Sequence, residues 1–132
     1  MGVDRTCTVY YHIHIMQSFG QYIRLQREKR RASDPAFSVR QVAGRIGVEP
    51  SYLSKVERDE TPPPSEEKIR ALALDLGEDP DVLLAMAGKV SADLQEVIMK
   101  RPLLFAKLLR ELKDQPEHAV LRLVREVRDG NW

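Results

Sequence analysis

Apolar positions recur at helical spacing through most of the chain. From about residue 18 to 32, Phe19, Tyr22, Ile23 and Gln26 fall on one stripe of a first helix that Ser18 can cap. Pro35, within SDPAF, breaks it. Val39, Val42, Ala43 and Ile46 line one face of a second helix, with Ser38 and Gln41 at capping-box spacing. Gly47 stops that helix where a left-handed residue is wanted. A third opens near Pro50, whose missing N–H costs nothing in a first turn, and buries Leu53 and Val56. ERDETPPPS reads as a rigid exposed connection. Glu66 and Glu67 suit the N-terminal dipole of a fourth helix that buries Ile69, Leu72, Ala73 and Leu76 and ends at Gly77. DPDVLLAMAG is a short fifth helix.

The pattern changes at both ends. Three further helices are predicted at about 92–101, 102–114 and 117–129, with Pro102 and Pro116 at starts. Their apolar positions are dense: Leu94, Val97 and Ile98, then Leu104, Phe105, Leu108, Leu109 and Leu112, then Val120, Leu121, Val124 and Val127. So short a segment cannot easily bury all of these within itself, which favours a two-fold helical interface over an intramolecular cap. At the other end, TCTVYYHIHIM alternates like a strand over 6–16, yet no second strand is apparent. Either it pairs with its symmetry mate, or Met16 is the biological start and the residues before it are an upstream extension. The predicted organisation is an extension over 1–17, a compact all-α unit over 18–88 and a C-terminal helical, dimerising segment over 89–132.

Composition narrows the class. With 42% hydrophobic residues the chain supports a folded core, and no run approaches the roughly 18 apolar residues of a membrane span. The first residues make a poor signal peptide, and the single Cys7 excludes an internal disulfide framework, so a cytoplasmic protein is expected. His12 and His14 have no third ligand in view and His118 is remote, so neither a metal nor any other cofactor is expected. Glu66 and Glu67 are adjacent rather than spaced for acid/base work, there is no glycine-rich phosphate loop, and nothing points to an enzyme.

Net charge is only +1, but its distribution is uneven. Residues 22–60 carry nine Lys/Arg against six Asp/Glu, residues 61–93 three against seven, and residues 94–132 eight against six. The sharpest basic run is RLQREKRR, with Arg24, Arg27, Lys29, Arg30 and Arg31. Such a run becomes a phosphate-contact candidate only beside a reading element. Residues 75–81 form an acidic patch expected to be exposed.

QVAGRIGVEPSYLSKVE supplies that element. It resembles the helix-turn-helix of the Cro/C1-type, or Xre, regulators: small Ala43 where the helices cross, Gly47 at the turn, Val48 after it, Leu53 and Val56 as a buried pair, Glu57 closing the motif. The resemblance extends through TPPPSEEKIRALALDLGEDPDVLLAMAG and covers about 18–88. It implies an all-α, five-helix lambda-repressor-like domain whose third helix enters the major groove. Carried over residue by residue, the base-edge candidates are Glu49, Pro50, Ser51, Ser54 and Lys55, with Lys55 suited to guanine O6 and N7. Arg40, Gln41, Arg45, Tyr52, Arg58, Arg30 and Arg31 are the backbone candidates. The resemblance also pairs Arg27 with Glu57 structurally. Two departures stand out: Val39 replaces a customary glutamine, and RASDPAF is a longer connection than usual.

The function this implies is a sequence-specific double-stranded DNA-binding transcriptional regulator, a repressor acting as a homodimer on an inverted repeat. The competing class is an antitoxin-like or adaptor protein whose C-terminal helices bind a toxin or another protein partner.

Overall fold

The computed structural model describes residues 17–131, so the strand expected over 6–16 and the residues Cys7, His12 and His14 lie outside it. Among the described residues the fold is all-α, with eight α-helices and one 3-10 turn. They are α1 (Phe19–Arg31), the turn Pro35–Phe37, α2 (Val39–Ile46), α3 (Pro50–Glu57), α4 (Glu66–Leu76), α5 (Pro80–Met86), α6 (Ala92–Lys100), α7 (Pro102–Leu112) and α8 (Glu117–Asp129). The chain divides between Ser91 and Ala92 into two compact units. No described helix is long and apolar enough to cross a membrane.

In the first unit the periodic apolar positions converge. Ile23 of α1, Val42 and Ala43 of α2, Leu53 and Val56 of α3, Ile69, Leu72 and Leu76 of α4 and Leu83 and Leu84 of α5 are all buried. Ala43 is fully buried, consistent with the need for a small side chain where α2 meets α3. Val39 is only half-buried, at the edge of this core.

The helix ends depart from the sequence expectations in instructive ways. The complete capping box is on α1: Ser18 Oγ accepts from Gln21 N–H at 3.0 Å, and Ser18 N–H donates to Gln21 Oε1 at 3.2 Å. On α2 only half of the expected box forms. Ser38 Oγ accepts from Gln41 N–H at 3.2 Å, but Ser38 N–H donates instead to Pro35 O of the 3-10 turn. The connection over 61–65 is less exposed than expected, because Pro64 is buried and Lys89 Nζ donates to its carbonyl at 2.9 Å.

Two junctions fix α3. Gly47 takes φ 78° after α2, and the freed carbonyls of Ile46 and Gly47 accept from Lys68 Nζ of α4. At the other end Asp59 takes φ 61°, which lets Glu60 N–H donate to Lys55 O at 2.8 Å and Asp59 N–H to Val56 O at 3.1 Å. Ser18 Oγ donates to the Asp59 carboxylate at 2.9 Å, tying the start of α1 to the end of α3. Gly20 permits this approach, since a Cβ there would overlap the Val56 carbonyl and lie 2.8 Å from Asp59 Oδ1.

In the second unit, α6, α7 and α8 contain no buried residue. Leu103 is 86% exposed, and Leu104, Leu109, Val124 and Val127 are all more than half exposed.

The two helical glycines should respond oppositely to alanine. Gly20→Ala should lose about 1–3 kcal/mol through overpacking against α3. Gly44→Ala has nothing within 4 Å of the new Cβ, and should gain about 0.5–1 kcal/mol from helix propensity. Urea denaturation of both variants reads the difference directly.

Candidate nucleic-acid interface

The site is built on one buried ion pair. Arg27 is 2% and Glu57 5% exposed. Arg27 Nε donates to Glu57 Oε2 at 2.7 Å and Nη2 donates to Oε1 at 2.9 Å, a bidentate fork joining α1 to the last turn of α3. Its Nη1 donates to Phe37 O at 3.1 Å and Nη2 also reaches Glu28 Oε2 at 3.1 Å. The Glu57 hydrogen bond is the largest influence on Arg27 and, against the opposing pull of burial, raises its pKa above the ordinary guanidinium value. Arg27 thus sits on the stripe where Gln26 was expected; Gln26 itself is half-buried.

Over this pair lies a polar cleft bordered by Arg24, Glu28 and Arg31 of α1, Val39 of α2, Ser54 of α3 and Arg58 just beyond it. Arg24 is absent from the contact candidates drawn from sequence, although its spacing of three and seven residues from Arg27 and Arg31 places all three on one helical face. Along α3, Glu49, Pro50, Ser51 and Lys55 are exposed and Ser54 is half-buried. Glu49 precedes the helix without capping it through its side chain. Tyr52 is half-buried against the core. On α2, Arg40 and Gln41 are exposed.

Two of the basic candidates are held elsewhere. The guanidinium carbons of Arg30 and Arg45 lie 5.5 and 5.0 Å from the centroid of the Phe37 ring. Arg30 also covers Gly77 so closely that a Cβ there would overlap its Nη2. Arg45 forms a fork with Asp75, Nε to Oδ1 at 2.6 Å and Nη2 to Oδ2 at 3.0 Å, and hydrogen bonding to Asp75 is the main influence raising its pKa. The long RASDPAF connection therefore supplies the ring that gathers these two arginines. The expected acidic patch is partly engaged as well, through Asp75 and through Glu78, which accepts from the Tyr22 hydroxyl at 2.7 Å.

Among the described residues no group of three or more His, Cys, Asp or Glu is placed to hold a metal ion. What the arrangement offers is a helix with polar and cationic side chains facing outward, braced from below and bordered by arginines.

Arg27→Ala should cost about 3–5 kcal/mol in urea denaturation, because Glu57 is left buried and unpaired. Arg27→Met combined with Glu57→Leu should recover most of that loss, since neither charge then remains to be desolvated.

The helix-turn-helix domain family matches residues 18–86, just over half of the chain. No curated protein and no solved structure matches it. The matched span contains α1 to α5 and both residues of the buried pair. With that match and an α2–turn–α3 unit braced on α1, the chain belongs to the helix-turn-helix domain family, of the Xre or Cro/C1 type, and carries a DNA-binding regulatory domain.

Proposed function

We propose that this protein is a transcriptional repressor that binds double-stranded DNA as a homodimer on an inverted repeat. The observation that carries it is the exposure of Glu49, Pro50, Ser51 and Lys55 on a helix whose other face is locked into the core. In a major groove, Lys55 donates to guanine O6 or N7, Ser51 and Ser54 bond either kind of base edge, Glu49 accepts from a cytosine amino group, and Pro50 offers apolar contact alone. Arg24, Arg31, Arg40, Gln41 and Arg58 address phosphates. Arg30 and Arg45, held against Phe37, act as structural cations, and Tyr52 packs at the margin of the core.

Dimerisation is assigned to α6–α8. Helices of nine to thirteen residues draw most of their stability in water from packing an apolar face. Their leucines and valines supply such a face for a second copy. Two copies of α3 then read half-sites about one helical turn apart, and occupancy blocks polymerase. The same exposed leucines favour a second reading, an antitoxin-like or adaptor protein, in which another protein covers them.

Anisotropy titrations on the protein's own upstream duplex and on random duplex test the reading. Lys55→Ala should lose about 1–3 kcal/mol on the specific duplex and little on random duplex. Arg31→Ala should weaken both and lower the log–log salt slope by about one, whereas Arg30→Ala should leave that slope unchanged. Equal losses for all three on both duplexes would sink the assignments.

Leu104→Glu should convert a dimer to a monomer in sedimentation and weaken binding to the full inverted repeat more than to a half-site. A wild-type chain that sediments as a monomer would move the weight to the second reading.

A further inference from the structure

Arg58 has an acidic neighbour whose placement stability alone does not explain. Its Nε donates to Glu60 Oε2 at 2.7 Å and its Nη2 to Oε1 at 3.4 Å, a two-pronged contact at the rim of the polar cleft. The turn that ends α3 brings the two together: Asp59, in the left-handed region, folds the chain back so that Glu60 N–H bonds Lys55 O. Both side chains remain about half exposed, at 49% and 52%. Exposed pairs of this kind are screened by solvent, so this pair adds little to the fold. It does point a guanidinium fork at two oxygens of one anion, the geometry with which arginine also takes a phosphate.

The rest of the rim is mainly cationic, its one further exposed carboxylate, Glu28, being engaged by Arg27 Nη2 at 3.1 Å. Arg24 and Arg31 border the same cleft with no carboxylate partner among the described residues. Val39 also lines it, an apolar side chain that cannot donate to a phosphate. Given the DNA reading proposed above, we infer that Glu60 is an internal stand-in for a backbone phosphate: it holds Arg58 when no duplex is present and is displaced when a phosphate of the duplex enters between Arg24, Arg31 and Arg58. Binding at this corner is then an exchange of one anion for another. The hydrogen bond between the two partners is also the main influence raising the pKa of Arg58 and lowering that of Glu60, so both are charged and the exchange is one of full charges.

The test is a double-mutant cycle in duplex affinity, using Glu60→Gln, Arg58→Ala and the two combined, each with a salt titration. Glu60→Gln should raise duplex affinity about two- to fivefold, the factor that corresponds to releasing a surface pair. Arg58→Ala should lower affinity and reduce the salt slope by about one. In the Arg58→Ala background, Glu60→Gln should change nothing, because the cation that it frees is gone. An equal gain from Glu60→Gln in both backgrounds would show simple charge repulsion and overturn the inference. No gain in either would overturn it too. Urea midpoints close to wild type for all three variants confirm that the fold is not what changes. Wild-type protein that binds no duplex at any salt concentration would remove the DNA reading itself, and that result is read from the unmutated chain alone.

Discussion

The ion pair between Arg27 and Glu57 is the contact on which the DNA-binding unit turns. Taking either charge out of water alone would cost several kcal/mol, and the pair persists because its geometry meets that cost with a bidentate fork and further bonds to Phe37 O and Glu28. One guanidinium thereby touches α1, the connection before α2 and the final turn of α3. Apolar contacts such as Ile23, Val56 and Leu53 supply burial but little direction. The fork supplies direction. It sets the angle at which α3 stands against α1, and Gly20 and the Ser18–Asp59 bond hold the same two helices together about two turns earlier along α1.

Much of this unit is legible in the sequence because its signals are local and mutually consistent. Ser18 and Pro50 stand at helix starts, and Gly47 and Gly77 at helix ends, where the structure has them. The exposed edge of α3 is equally readable, since it follows from which residues the core takes. What escapes is decided by contacts distant in sequence. Nothing near Arg30 or Arg45 says that Phe37 will gather them both, or that Asp75, thirty residues beyond Arg45, will take one of them. Ser38 and Gln41 have the right spacing for a capping box, but a neighbouring turn claims the Ser38 N–H first. Arg24 was within reach of a helical-face argument and is masked only by the density of basic residues around it.

The two units use the same side chains to different ends. In the first, leucines and isoleucines are consumed by one core until a serine, an arginine and a glutamate are also buried there. In the second, a comparable density of leucine and valine stays open to solvent. Periodicity announces an apolar face equally well in both cases. It cannot announce what meets that face, because the covering surface in the first unit is drawn from helices distant in sequence.

The gathering of Arg30 and Arg45 at the Phe37 ring has a consequence for how a DNA-binding domain meets arbitrary sequence. Attraction to arbitrary DNA grows with the number of cations free to displace condensed counterions, not with the number in the sequence. Two arginines are held at an aromatic ring and one is buried with a glutamate. The basic surplus of residues 22–60 therefore overstates the grip on random sequence. On the proposed repressor reading, a weaker grip would shorten each stop on the wrong site, giving a faster search for a charge total that looks sticky on paper.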